Sequence, residues 1–203
     1  MSAPAVILAS GSPRRREILA AAGVEALVMV PEIDDAAVPA QSRSPEAYTM
    51  SLAWFKARQV RADARARFGA QGPRWIVAAD TMCVLDGAVV GKPADAAEAL
   101  AMIRRFAGRR HAVVTGVCIL DRRSDARRIF FDAAEVALGE LSPERLRAYA
   151  DSGAWRGKAG GYNFSERVAD GWPIACEGDP ETIMGLPSRL VLPCLRDDPA
   201  EAA

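Results

Sequence analysis

Residues 6–16 read VILASGSPRRR, a stretch that indicates an α/β fold. Its apolar run predicts a buried strand that stops at Ser10, and the proline suits the first turn of a helix. Backbone N–H groups and the positive end of the helix dipole face such a loop. Arg14 and Arg15 add forked donors that match phosphate oxygens. The stretch therefore predicts a phosphate-binding loop, Ser12 included, at the edge of an α/β sheet.

The composition is that of a globular protein with a sizeable core: 203 residues, half of them hydrophobic. Lys+Arg and Asp+Glu balance at 26 each, which argues against a nucleic-acid binder. Four widely spaced cysteines and a single histidine fit neither a zinc site nor a disulfide framework, and predict small buried thiols in a reducing compartment. We find no signal-peptide pattern and no bilayer-spanning apolar run, so we expect a cytoplasmic protein without a membrane partner.

Strand and helix patterns alternate along the chain. We expect one domain over residues 1–195 and a polar tail over 196–203. Helices begin after the capping residues Ser44, Asp95 and Ser142, and Asp86-Gly87 predicts a hairpin. Strands are expected at residues 6–9, 25–30, 75–79, 111–120 and 128–138. This order predicts an α/β fold with a mixed twisted sheet, helices on both faces and a cleft between two lobes.

Acidic residues follow two of the predicted strands. Asp80 ends an apolar run, where it either caps a turn or holds a carboxylate that deprotonates water or binds a divalent cation. We expect it to share the carboxyl edge of the sheet with Ser10. Asp34 and Asp35 either belong to a solvated loop or, next to a polyphosphate site, act as magnesium ligands.

Three lysines are candidate phosphate ligands. Lys56 lies in the long helix, where a lysine is usually on the surface, and Lys92 precedes a proline that stiffens its backbone. Lys158 lies among glycines, which form a flexible turn or allow close approach to a ligand. The Walker pattern is absent from the sequence. His111 is expected to be a structural strand residue, so a hydrolytic triad has no support.

The ordered set of motifs resembles the Maf family of nucleoside-triphosphate pyrophosphatases. The matching segments are SGSPRR at 10–15, IDD at 33–35, KA at 56–57, ADT at 79–81, GKP at 91–93, TGV at 115–117, GKAGGY at 157–162 and GLP at 185–187. The resemblance implies a fold similar to that of the inosine-triphosphate pyrophosphatases. It also implies hydrolysis between the α and β phosphates, with magnesium or manganese as cofactor.

The resemblance assigns roles to individual residues. It makes Asp80 the general base, with Asp35 and Asp80 as metal ligands, although the family usually has glutamate at the position of Asp35. Substrate binding is expected at Ser10, Ser12, Arg14, Arg15, Lys56, Thr81, Lys92, Lys158, Ser165 and Glu166.

The markers of base preference conflict. Thr81 after the aspartate resembles the members that act on dTTP and UTP. Ser165-Glu166 and the later Gly-Asp-Pro at 178–180 resemble the 7-methyl-GTP type. A carboxylate such as that of Glu166 suits a guanine edge or a cationic base. Both preferences stay open at this point.

Two other functions compete with triphosphate hydrolysis. One is a nucleotide-binding regulator of cell division without turnover, and the other is a magnesium-dependent phosphatase that releases single phosphates. The products separate these functions, because they are pyrophosphate, orthophosphate or none. A homodimer is a further expectation.

Overall fold

A computed structural model describes residues 6–33 and 44–196. Within these residues the strands are β1 (Val6–Ala9), β2 (Ala26–Val28), β3 (Trp75–Leu85), β4 (Ala88–Val90), β5 (Arg109–Asp121), β6 (Arg127–Leu138) and β7 (Ile174–Glu177). The α-helices are α1 (Pro13–Ala21), α2 (Pro45–Phe68), α3 (Ala96–Phe106), α4 (Pro143–Ser152), α5 (Phe164–Ala169), α6 (Pro180–Met184) and α7 (Ser188–Arg196). A 3-10 turn covers Ala159–Gly161.

The strands hydrogen-bond in the order β2-β1-β3-β5-β6-β7, and β4 pairs with β3. β1 is parallel to β2 and to β3, whereas β3–β4 and β6–β7 are antiparallel. The predicted α/β class with a mixed sheet is therefore confirmed. The chain divides into two compact units, and β3, β5 and β6 each run from one into the other.

The first unit comprises the described parts of Met1–Asp80, Thr115–Asp132 and Gly185–Ala203. Its core forms where α2 packs on β1, β3 and β5 through the buried residues Ile7, Ala9, Ala53, Ala57, Val60, Ala64, Ile76, Ala78, Cys118 and Leu120. Three alanines at helical spacing let α2 lie close to the sheet. At Gly116 of β5, an added Cβ would lie 2.4 Å from backbone atoms of Thr49 and Met50. The backbones of α2 and β5 are therefore in contact.

The second unit comprises Thr81–Val114 and Ala133–Met184. α3 and α4 bury their apolar faces in one cluster with residues of β3 to β6, Phe106 and Leu146 among them. Its hairpin turn has Asp86 at φ 53° and Gly87 at φ 75°. These left-handed residues match a tight turn between twisted strands, as the sequence predicts.

The three predicted helix starts are confirmed. The Ser44 hydroxyl accepts a hydrogen bond from the Ala47 N–H, and Ser142 accepts one from Arg145 in the same way. The Asp95 carboxylate accepts the Glu98 N–H at 2.8 Å. α2 ends at Phe68, and Gly69 follows it with φ 57°.

Several expectations need correction. β3 does not end at Asp80 but continues to Leu85, because Cys83, Val84 and Leu85 pair with β4. α5, β7 and α6 were not predicted, because they are too short to show a clear period. All four cysteines are free thiols, but only Cys83 and Cys118 are buried.

Other expectations concern the ends of the chain and its surroundings. α7 ends at Arg196, and residues 197–203 lie outside the described residues. One domain over residues 1–195 stays a prediction. In residues 6–33 and 44–196, no helix combines the length and apolar character needed to cross a bilayer.

Candidate active site

Ser10 and Asp80 lie at the same end of two neighbouring parallel strands. The register pairs Ala9 of β1 with Ala78 of β3, so Ser10 comes one residue and Asp80 two residues beyond that pair. Ser10 is 6% and Asp80 8% exposed. The structure therefore brings these two predicted site residues to one edge of the sheet, although Asp80 lies inside a strand and not after it.

Lys56 of α2 reaches the same edge. Its Nζ lies 2.6 Å from Oδ1 of Asp80, and the two side chains are only 13% and 11% exposed. The adjacent Ala57 is fully buried against the sheet, which fixes the rotation of the helix and carries Lys56 towards Asp80. A charged pair that is largely withdrawn from water interacts more strongly than a surface pair.

Arg15 links the loop after β1 to the segment before α7. Its Nη1 donates to the Ser10 hydroxyl at 3.0 Å, and its Nε donates to the Gly185 carbonyl at 2.8 Å. The Ser10 hydroxyl also accepts the Ser12 N–H at 3.2 Å. Two donors therefore fix the orientation of this hydroxyl. The contact with Gly185 was not predicted, since 170 residues separate the two partners.

The other residues of the predicted phosphate loop lie at the start of α1. Ser12 is at the N-cap position, and its side chain makes no capping hydrogen bond with this helix. Arg14 is half-buried, whereas Arg16 is exposed, as expected for a surface residue. The first helical turn carries no acidic residue. These features suit an anion at the N-terminus of the helix.

The predicted acidic patch, Asp34 and Asp35, lies outside the described residues. Elsewhere in the described ranges, no three His, Cys, Asp or Glu side chains form a group that could hold a metal ion. The carboxylate of Asp80 is the oxygen ligand that the described site offers to a divalent cation. Magnesium accepts one or two carboxylates and completes its shell with water and phosphate oxygens.

The remaining predicted residues belong to the second unit. Thr81 follows Asp80 in β3 and is half-buried, and Lys92 is exposed after β4. Nζ of Lys158 lies 2.5 Å from Oε2 of Glu166. The Ser165 hydroxyl donates to the Asn163 side-chain oxygen at 2.8 Å. Lys158 and Glu166, which were both predicted to bind substrate, therefore form an ion pair with each other.

The glycines around Lys158 have a packing role that the sequence did not reveal. Gly160 has φ 69°, and an added Cβ would lie 2.6 Å from the Cys83 Sγ. Its N–H donates to the Gly91 carbonyl at 2.9 Å. A left-handed backbone in so close a contact requires glycine whatever the turn binds.

His111 is a buried strand residue, as expected. Its Nε2 lies 2.6 Å from the Tyr162 hydroxyl, and its ring packs on Phe106 with centroids 4.2 Å apart. Burial lowers the pKa of His111 to about 4. These contacts make it part of the core of the second unit.

Comparisons with known proteins extend over almost the whole chain. A family model described as Maf-like protein matches residues 5–197. A dTTP/UTP pyrophosphatase of Burkholderia pseudomallei (strain 1710b) is 38% identical over 190 residues, which cover 92% of this chain and 90% of that protein. Another from Symbiobacterium thermophilum is 40% identical over 183 residues, 90% of this chain and 88% of that protein. A third from Nitratidesulfovibrio vulgaris is 37% identical, covering 90% and 82%. The chain belongs to the Maf family.

Proposed function

We propose that this protein hydrolyses nucleoside triphosphates to a nucleoside monophosphate and pyrophosphate, with dTTP and UTP as its preferred substrates. Membership of the Maf family and the names of its relatives support the reaction class. The observation that carries the proposal is the group formed by Lys56, Asp80, Arg15 and Ser10 at one edge of the sheet. This group combines cations that would bind a polyphosphate with one carboxylate that would take a proton from water.

The cations suit the charge that develops in this reaction. Cleavage between the α and β phosphates places negative charge on the departing pyrophosphate. Arg15 and Lys56 are cations held in place by their hydrogen bonds, Arg14 adds a third cation, and N–H groups at the start of α1 add their partial charge. Such preorganised groups stabilise charge without the cost of reorienting solvent.

Asp80 is the proposed general base. It takes a proton from water as the water oxygen bonds to the α phosphorus, and the bond from that phosphorus to the bridging oxygen breaks. The bridging oxygen leaves with pyrophosphate, and the proton stays on the carboxylate until solvent takes it. The ion pair with Lys56 orients the carboxylate before the substrate arrives. No covalent intermediate is required.

A divalent cation, magnesium or manganese, fits the hard oxygen donor of Asp80. With only one carboxylate supplied by the described site, phosphate oxygens and water would complete its shell. Asp35 is the further ligand that we propose. Such a cation would neutralise charge on the triphosphate when bound.

Base recognition is proposed for Thr81, Lys158, Ser165 and Glu166, and Lys92 is proposed as a further phosphate ligand. The names of the relatives favour a thymine or uracil base over 7-methylguanine. The Lys158–Glu166 ion pair supports this preference, since it engages the carboxylate that a guanine edge would need. We further propose that the enzyme acts in the cytoplasm, as a homodimer.

A nucleotide panel tests the proposal. The purified protein is given magnesium and dTTP, UTP, CTP, GTP or 7-methyl-GTP, and pyrophosphate and orthophosphate are measured separately. Pyrophosphate released fastest from dTTP and UTP is the expected result. Orthophosphate alone would indicate a phosphatase. Tight nucleotide binding with neither product would favour the regulator without turnover.

A further inference from the structure

A second cationic feature of the first unit is not used by the proposed reaction. A cavity of about 630 Å³ is lined by Arg61, Arg65, Gly69, Ala70, Gly72, Arg74, Arg122 and Arg123. We call it the arginine cavity. It lies where α2 ends, β3 begins and β5 turns towards β6.

The proposed catalytic edge is formed by Ser10, Arg15, Lys56 and Asp80. The arginine cavity lies at the start of β3, whereas Asp80 lies in the middle of that strand. Arg74 immediately precedes this strand, and Asp80 is six residues further along it. An extended strand rises about 3.3 Å per residue, which separates the two positions by roughly 20 Å. None of Ser10, Arg15 and Lys56 lines the cavity.

Two of the five lining arginines have acidic partners. Arg74 donates through Nε and Nη2 to one oxygen of Asp121, at 3.0 and 2.9 Å. Arg61 forms an ion pair with Asp125. Among the residues that the structure describes, the other three lining arginines form no ion pair with a carboxylate.

Arg122 has a structural role at the end of α2. Its guanidinium donates to the carbonyls of Ala64, Gly69, Gln71 and Pro73. Burial lowers the pKa of Arg122, and the charges of Arg123 and Arg61 lower it further. The carbonyls satisfy its donors but supply no full negative charge, so the cavity keeps a positive potential.

Arg65 and Arg123 face the cavity from α2 and from the turn between β5 and β6. Within residues 6–33 and 44–196, neither guanidinium has a hydrogen-bond or ion-pair partner. Because like charges repel, arginines that contact only water would point away from one another. Arg65 and Arg123 instead line one recess together with three other arginines. Their convergence favours an anion that bridges them.

We propose that the arginine cavity is a second binding site, distinct from the catalytic edge, for the diphosphate or triphosphate group of a small molecule. Its volume lies within the range of small-molecule sites, about 300–1,000 Å³. Guanidinium groups match phosphate oxygens in pairs, and several together suit a condensed phosphate over a single carboxylate. A nucleic acid is disfavoured as the ligand because the chain carries no net charge. The arginine cavity is also a recess, whereas a nucleic-acid site is a groove that follows the backbone of the strand.

Calorimetric titration of the full chain with inorganic pyrophosphate tests this site without any turnover. The test variant is R65Q/R123Q, which removes the two charges that have no partner in the described part of the chain and leaves Arg122 in place. The matched control is R104Q/R105Q, which removes two exposed arginines from α3. Each charge-assisted hydrogen bond contributes enough for the affinity at this site to fall about tenfold or more.

A local readout separates this site from pyrophosphate bound at the catalytic edge. The Trp75 ring lies under the Arg74 guanidinium, 4.6 Å from ring centroid to Cζ. Its indole NMR signal, identified with Trp75→Phe, is expected to shift with pyrophosphate in the wild type and in R104Q/R105Q, but not in R65Q/R123Q. Triphosphate turnover is expected to be equal in all three proteins.

Two further ligands identify the source of the phosphate group. Stronger binding of pyrophosphate than of a non-hydrolysable nucleoside triphosphate indicates the free anion, and the reverse order indicates a nucleotide. The proposal is overturned if the wild type and R65Q/R123Q give the same isotherm and the same Trp75 shift. It is also overturned if a single-stranded oligonucleotide binds through these arginines more tightly than either phosphate ligand.

Discussion

Nζ of Lys56 lies 2.6 Å from Oδ1 of Asp80, which ties the middle of the longest helix to the middle of a central strand. Both side chains are almost withdrawn from water, so the pair fixes the direction of the carboxylate. In the proposed reaction the same lysine would also face the negative charge of the substrate. The orientation of the Asp80 carboxylate and the positive charge beside it therefore both depend on one contact between α2 and β3.

Replacement of the proposed base is expected to abolish most turnover. Asp80→Asn keeps the size of the side chain but removes its ability to accept a proton from water. General base catalysis contributes about 10²–10⁴-fold, so kcat should fall by that factor while KM changes little. Steady-state release of pyrophosphate from dTTP measures both constants. Asp151→Asn, at an exposed position of α4, is the matched control and should behave as the wild type.

Removal of the lysine is expected to reduce both activity and stability. Lys56→Met keeps the apolar length of the side chain but leaves the Asp80 carboxylate without its ammonium partner. Removal of one partner from a largely buried ion pair costs about 3–5 kcal/mol of unfolding free energy. The double variant K56M/D80N should recover part of this loss. Urea unfolding of the four proteins checks the cycle, and strictly additive losses would contradict a direct interaction.

Arg15 is expected to be intolerant of lysine. Lysine keeps the charge but cannot donate to Ser10 and Gly185 with the planar fork of a guanidinium. We expect Arg15→Lys to raise KM for dTTP about tenfold, as one charge-assisted contact is lost. Arg16→Lys, at the exposed neighbouring position, is the control. Equal kinetics for the two variants would show that the bridge has no role in binding.

Much of the fold follows from local signals. The capping residues Ser44, Asp95 and Ser142 locate three helix starts, because only a few side chains satisfy the free N–H groups there. Asp86-Gly87 determines a hairpin because its turn needs two left-handed residues. Such signals act over four or five residues and can be read without the tertiary structure.

The site contacts could not be predicted in the same way. Lys56 and Asp80 are 24 residues apart, and their pairing depends on how α2 packs against the sheet. The extension of β3 beyond Asp80 depends on pairing with β4, which overrides the turn tendency of an aspartate. The arginine cavity combines arginines from the end of α2, the start of β3 and the turn after β5, and each of these segments resembles a solvated surface.

The contact of α2 with β5 predicts a strict need for glycine at position 116. A Cβ there would lie 2.4 Å from two backbone atoms of α2, so the helix would have to move. Overpacking of this kind costs about 1–3 kcal/mol, and the shift should also lower kcat by displacing Lys56. Thermal unfolding and turnover of Gly116→Ala measure both effects. Gly91→Ala, where an added Cβ meets open space, should keep its stability.

His111 predicts a specific dependence of stability on pH. Burial lowers its pKa from 6.5 to about 4, so the folded protein holds the ring neutral where the unfolded chain binds a proton. The unfolded state therefore gains protons as the pH falls from 6.5 towards 4, and the free energy of unfolding decreases over that window. The full loss would be about 3 kcal/mol, at roughly 1.4 kcal/mol for each pKa unit.

The contribution of this side chain can be isolated because the sequence contains one histidine. His111→Gln removes the titrating ring and keeps an amide that can bond to the Tyr162 hydroxyl. The variant should be less stable than the wild type at pH 7.5, since the ring contact with Phe106 is lost. Its free energy of unfolding should fall less steeply between pH 6.5 and 4.5, so the two curves converge as the pH falls. Carboxylates titrate alike in both proteins and cancel in the difference. Parallel curves over this window would mean that the folded protein protonates His111 as readily as the unfolded chain does.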